Sequence, residues 1–156
     1  MLGKIKRSTA DKHMSECVRI RAKWHCQRCG TDYTNRDKRG FQNSHFIGRG
    51  NYAVRYDPKN CLALCMRCHH DVTANPIEHV NLWKEVMGGD KELDRLIKRS
   101  ECKERADYAR ANEKGIAAYY RECAKQLKEY AEATDWEEKE YDFESCQYRE
   151  ASPSHP

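Results

Sequence analysis

The chain has no stretch approaching the roughly 18 consecutive apolar residues that would span a bilayer, which excludes a membrane-spanning helix. Its start also has no apolar leader: Met1-Leu2-Gly3-Lys4-Ile5-Lys6-Arg7 carries charge where a secretory signal would be apolar, so the expected location is the cytoplasm. Hydrophobic residues make up only 38% of 156, enough for one modest core in a soluble protein. An even cysteine count is missing too, since nine cysteines cannot all pair, which argues against a complete disulfide framework. In a reducing compartment, closely spaced thiols hold metal more readily than they form disulfides.

Charge, by contrast, is abundant. At 35% the charged fraction implies long exposed helices or poorly folded ends rather than a larger core. The net charge of +4 conceals a change of sign along the chain. Residues 1–55 carry 13 Lys and Arg against 4 Asp and Glu, residues 56–130 carry 14 against 13, and residues 131–156 carry 2 against 8. A positive field concentrated in the first third favours a polyanion such as nucleic acid, with a plain solvated basic surface as the alternative.

The organisation follows from periodicity and punctuation. Residues 1–12 read as a flexible basic arm, and Met14, Cys17, Val18 and Ile20 place a short helix between Asp11 and Trp24. Short β-type runs follow at Gly40–Ile47 and Cys61–Leu64. Asn75-Pro76 opens a helix with Ile77, Val80, Trp83, Val86 and Met87 as its apolar face, and Gly88-Gly89 closes it. Asp90 caps the next helix, with the stripe Leu93, Leu96, Ile97. A longer helix then runs through Ile116, Tyr119, Tyr120, Cys123, Leu127 and Tyr130. The domain reading is thus an arm over 1–12, one domain over 13–100, a helical extension over 101–133 and an acidic, disordered tail over 134–156.

Cys26-Gln27-Arg28-Cys29 and Cys65-Met66-Arg67-Cys68 are two C-x-x-C knuckles separated by 35 residues. Two intervening residues let both sulfurs of a knuckle face one ion, and two knuckles complete the four-thiolate shell of a structural zinc. A redox role for one knuckle would need a thioredoxin-like βαβ pattern, and the presence of two matched knuckles argues against it. Cys61 is a poorer substitute ligand or a small buried hydrophobe, while Cys17, Cys102, Cys123 and Cys146 lack partner spacing.

Between and beside the knuckles lie His45 at a strand end, Asn60 fifteen residues on, and His69 directly after the last knuckle cysteine. Such residues offer what a metal-assisted nuclease requires, namely a base for water and an anchor for a cation, alongside cationic groups for the backbone. The order of C-x-x-C, Ser44-His45-Phe46-Ile47, Asp57-Pro58-Lys59-Asn60 and Leu64-Cys65-Met66-Arg67-Cys68-His69 resembles zinc-knuckle HNH endonucleases. More narrowly, Ser44–Ile47, Val54-Arg55-Tyr56-Asp57, the second knuckle and Asn75 resemble the phage NinG/Rap-type recombination endonucleases, over about Cys26 to Leu96.

That resemblance implies an α+β protein: a small ββα-metal module stapled by a four-cysteine zinc site, with helical extensions at both ends. It implies His45 as general base, Asn60 orienting His45 or fixing the loop, and His69 holding a catalytic Mg2+ or Mn2+. The chain departs from the commonest pattern at Ser44, where many HNH enzymes place an acidic or histidine ligand. The ion would then rest on His69 with help from His70, Asp71 or Asp57, or on more waters. NinG-type chains also often carry Asn where His69 stands. Arg49, Arg55, Lys59 and Arg67 are candidate phosphate contacts, and Tyr52 and Tyr56 either stack on an unpaired base or pack. The implied activity is phosphodiester hydrolysis in DNA, on Holliday junctions or flaps in phage recombination, inside a bacterial host cell. The alternatives are a non-catalytic zinc-stapled DNA-binding module and a nonspecific or packaging-associated nicking enzyme. A homodimer through the Tyr119, Cys123, Leu127, Tyr130 stripe and packing of that stripe within the monomer both remain open.

Overall fold

Ser8 opens the first helix, α1 (Thr9–Arg21), by a reciprocal cap. Its Oγ accepts from the Asp11 amide at 3.1 Å, and the Asp11 carboxylate accepts from the Ser8 amide at 2.8 Å. In the computed structural model, which describes residues 5–133, this cap starts the helix before the apolar spacing suggested. The arm expected over 1–12 is accordingly corrected, because Ala10 and Asp11 are already buried. The helix stops at Arg21 rather than Trp24. Lys23 and Trp24 take left-handed backbone, φ 51° and 59°, and turn the chain toward the first knuckle. Cys146 and the expected tail over 134–156 lie outside the described residues.

Two strands form an antiparallel hairpin, β1 (Phe41–His45) and β2 (Cys61–Cys65), in a register that places Phe41 opposite Cys65 and His45 opposite Cys61. β2 is buried along its whole length, since α1 packs on it as well as the helix it feeds, α2 (Met66–Ala74). Asn60 sets the shape of the loop between the strands. Fully buried, it accepts from the Ile47 amide at 2.7 Å and donates to the carbonyls of Ile47 at 2.8 Å and Val54 at 3.0 Å.

Asn75 accepts from the Glu78 amide and Pro76 pre-sets the first turn of α3 (Pro76–Met87), which ends at Gly88 with φ 106°. Its apolar face differs from the expectation: Ile77 is 76% exposed, while Leu82 and Trp83 are buried and Trp83 Nε1 donates to the Lys59 carbonyl. α4 (Asp90–Ser100) begins at Asp90 itself, with Gly89 in the cap position. Leu96 is its buried residue, and Ile97 is exposed. A short α5 (Lys103–Ala111) leads into α6 (Glu113–Ala133). Ile116, Tyr120, Cys123 and Leu127 of α6 join the same core as Met14, Cys17 and Val18 of α1. Cys17 Sγ donates to the Tyr120 carbonyl at 3.4 Å, and Lys128 pairs with Glu16 at 2.6 Å. The C-terminal stripe is therefore used within the monomer. The described residues form an α+β fold of six helices around a two-stranded sheet. Among them no helix is long and apolar enough to cross a membrane.

Candidate metal centre and active site

The turn after α1 and the junction of β2 with α2 bring four sulfurs together. Those of Cys26, Cys29, Cys65 and Cys68 all lie within 4.8 Å of one another, with Cys29 and Cys65 at 3.9 Å. A tetrahedral four-thiolate zinc, with bonds of about 2.3 Å, separates its sulfurs by about 3.8 Å, so the donor set fits such an ion. Gly30, at φ 72°, returns its amide to the Cys26 carbonyl and closes the first knuckle. Gln27 fixes that knuckle to β2, donating its amide to the Ala63 carbonyl and accepting the Ala63 amide at its side-chain oxygen. Backbone amides point at the sulfurs of Cys26 and Cys65, at 3.3 and 3.4 Å.

A hydrogen bond from the Thr31 hydroxyl holds the exposed Cys29 thiol down at about 6, so it is largely thiolate at neutral pH. Burial pushes Cys68 up to about 12 and raises Cys26. Such thiols ionise on meeting a cation that replaces their protons. Cys61, weighed as a substitute ligand, is fully buried opposite His45 and outside the cluster. Arg28 straps the centre to the helices: it bonds Asp71 of α2 at 2.9 Å, Glu78 of α3, and the Cys68 sulfur at 3.6 Å.

His45 ends β1 half-buried, its Nε2 2.9 Å from the Arg55 carbonyl. A carbonyl only accepts, so Nε2 carries the proton and Nδ1 keeps its lone pair. Burial lowers the imidazole's pKa and favours this neutral form. His69 is arranged in the opposite sense: Nδ1 donates to Gln42 Oε1 at 2.6 Å, which leaves the Nε2 lone pair for a ligand, and burial lowers its pKa too. Asn60 lies between these groups in sequence but serves the 47–54 loop.

The other candidates separate by burial. Asp57 is 8% exposed. It accepts from the Lys59 amide and from Arg99 Nε at 2.7 Å, with Arg105 at 3.8 Å, so its carboxylate is already engaged. Asp71 is held by Arg28, while His70 is exposed on α2. Arg55 was expected at a phosphate. It is instead 2% exposed, and it grips Asp11 through two bonds of 3.1 and 2.6 Å and donates to the Lys6 carbonyl. Tyr56 is buried, its hydroxyl shared between Ser8 and Glu113, and Tyr52 has Arg55 and Arg110 over its ring, so Tyr56 packs rather than stacks on a base. Lys59 pairs with Glu92 at 3.2 Å. Arg67 is exposed on α2, and Arg49 is half-buried beside His45.

Sequence reasoning passed over Gln42, Asp11 and Arg28, each of which orients a residue it did identify. Gln42 carried a usable signal, because in an alternating strand ending at His45 it occupies the face opposite that histidine. No family model, curated protein or solved structure matches the chain.

Proposed function

We propose that this protein is a metal-dependent DNA endonuclease, with a structural zinc on Cys26, Cys29, Cys65 and Cys68. The observation that carries the reading is the tautomer imposed on His45: a neutral imidazole at a strand end, its Nε2 proton donated to the Arg55 carbonyl and the lone pair left on Nδ1. Those are the requirements for a general base near neutral pH. In the reaction His45 Nδ1 takes a proton from water as the water oxygen bonds to phosphorus. The bond from phosphorus to the 3′ oxygen breaks, and that oxygen takes a proton from solvent water, leaving a 3′ hydroxyl and a 5′ phosphate. Mg2+ or Mn2+, when bound, neutralises charge on the phosphate and the departing oxygen. His69 Nε2 is the anchor for that ion, oriented by Gln42. Asn60 maintains the loop whose Arg55 carbonyl holds His45. Arg49 and Arg67 position the DNA backbone without reading sequence.

The similarity to NinG/Rap-type enzymes supports branched DNA, a Holliday junction or a flap, as substrate. A second reading, a zinc-stapled DNA-binding module without catalysis, is favoured by one observation: Asp57 and Asp71 are engaged by arginines, leaving the catalytic ion no free carboxylate among the candidates named from sequence. The test is cleavage of an end-labelled four-way junction and a matched linear duplex in Mg2+ or Mn2+, by wild type and His45→Ala of equal zinc content. Junction cleavage lost in the variant is expected. Equal cleavage of both DNAs keeps the nuclease, removes the branch preference and favours a nonspecific nicking enzyme. No cleavage by wild type leaves the binding module.

A further inference from the structure

Arg55 is held at both ends. Its carbonyl accepts the His45 Nε2 proton at 2.9 Å. Its guanidinium, 2% exposed, donates to the two Asp11 oxygens at 3.1 and 2.6 Å and to the Lys6 carbonyl at 2.9 Å. The carbonyls on either side have partners of their own. Asn60 Nδ2 donates to that of Val54 at 3.0 Å, and the Tyr120 hydroxyl of α6 donates to that of Tyr56 at 2.6 Å. The Tyr56 hydroxyl lies 3.1 Å from Ser8 Oγ and 2.8 Å from the Glu113 carboxylate. Residues 54–56 are thus fixed by α1, by α6 and by the end of their own loop, and the carbonyl that faces His45 is the middle one of the three.

A buried ion pair is often no more stabilising than apolar side chains of similar volume. What Asp11 and Arg55 give that an apolar contact lacks is direction, because a planar guanidinium meets a carboxylate through two bonds in one geometry. That direction matters to a group whose place depends on where Arg55 stands, and His45, held by the Arg55 carbonyl, is such a group. The charged groups acting on His45 are Asp11 of α1 and Arg49 and Arg55 of the loop, while burial keeps the Cys61 thiol opposite it on β2 neutral. Burial lowers the His45 pKa most. Asp11 and Arg55 act on it with opposite signs, so removing both together changes the charge around the ring little.

We propose that Asp11, acting through Arg55, is a positioning residue for His45: its grip on the guanidinium keeps the Arg55 carbonyl where it holds the imidazole. This deepens the nuclease reading, on which it rests for the use of the base but not for the base's placement. The first turn of α1 then belongs to the catalytic apparatus, although it lies outside the hairpin and contributes no group to the chemistry.

The test compares wild type with Asp11→Ala/Arg55→Met, which removes the grip without stranding a charge, and with Val18→Ala, which loosens the buried face of α1 and leaves the grip in place. Zinc content and melting temperature verify each variant's fold. Nuclear magnetic resonance of the full zinc-loaded chain reads His45 directly, through exchange of its Nε2 proton with water and titration of its ring. In wild type the proton should exchange slowly and the ring should titrate below 6.5. In the double variant exchange should be roughly tenfold faster and the titration should rise toward 6.5, because a ring that leaves its buried place is rehydrated. Val18→Ala should change neither. Cleavage of a four-way junction in Mn2+ by the double variant should fall about a hundredfold in kcat with KM within about twofold, since the base and not DNA binding is displaced. Its acidic limb should move up with the ring titration, because the base works only when neutral. If the double variant does not fold, Asp11→Asn, which keeps one acceptor for Arg55, is read by proton exchange, which should again quicken. A folded variant whose His45 proton stays protected overturns the proposal, as does Val18→Ala moving His45 equally. Faster exchange without DNA cleavage by wild type keeps the positioning role and removes the nuclease. Cleavage that the double variant retains in full keeps the nuclease and removes the positioning role.

Discussion

Replacing Asp11 by Ala strands a buried guanidinium. Asp11 and Arg55 are 3% and 2% exposed and joined by two hydrogen bonds, so the substitution leaves Arg55 charged, enclosed and bonded only to the Lys6 carbonyl and the aromatic faces of Tyr52 and Tyr56. Removing one member of a buried ion pair costs about 3–5 kcal/mol. The Asp11 carboxylate also accepts the Ser8 amide in the cap of α1, worth about 1 kcal/mol, and Asp11→Asn, which keeps an acceptor for that amide, separates this part from the loss of the charge. Against a total stability of about 5–15 kcal/mol, the expected loss lowers the melting temperature by on the order of 10 °C or more. Urea unfolding of wild type, Asp11→Asn, Asp11→Ala and Asp11→Ala/Arg55→Met supplies the numbers, and the double variant should recover part of the loss because no charge is left stranded. The pair also carries a pH signature. Burial works against ionisation of Asp11, but the hydrogen bonds from Arg55 and the Ser8 amide outweigh it and hold the carboxyl below 3.8. A carboxylate depressed in the fold stabilises it fully above the unfolded value, about 4, and loses that contribution as pH falls through the folded value. Wild type should thus lose more stability below pH 4 than Asp11→Asn does. An Asp11→Ala cost under about 1 kcal/mol, or one abolished by 1 M salt, would refute a buried pair, since that is how surface pairs behave.

Three further outcomes are expected. Stripping the cysteine centre with a strong chelator, or replacing Cys65 by Ser, should unfold the region around the hairpin; far-ultraviolet dichroism should show the loss, and zinc should restore the chelated wild type. Asn60→Ala leaves two carbonyls and an amide of the 47–54 loop without their bonds and should cost about 2–3 kcal/mol in urea unfolding, with cleavage falling further than stability explains. Arg67→Ala should weaken binding to all DNAs alike and reduce the slope of log affinity against log salt by about 1, whereas an unchanged slope would remove Arg67 from the interface.

What the sequence disclosed and what it hid divide along physical lines. The knuckles, the hairpin and the caps at Asn75 and Gly88 are local: each follows from residues a few positions apart, and each stands where spacing placed it. The roles of Arg55 and Asp57 were hidden because their partners are distant in sequence, Asp11 lying 44 residues and Arg99 lying 42 residues away. A cationic residue beside a catalytic motif has the same sequence appearance whether it faces DNA or a buried carboxylate. The exposed Ile77 shows the same limit, since helical spacing names a face without saying what covers it.

The pairing of α1 with α6 bears on how the chain is made. Cys17 and Tyr120, which bond to each other, are separated by 103 positions, so α1 obtains its main partner only after the whole intervening chain has been made. During that interval Met14, Cys17 and Val18 lack the cover that Tyr120, Cys123 and Leu127 provide in the finished molecule. Local closure of the knuckles and hairpin can precede this docking, whereas the docking carries the loop-closure entropy of the whole intervening chain. Until α6 is made, the apolar face of α1 has no cover from its own chain, and an apolar surface left open in that way is what favours aggregation of incompletely folded chains.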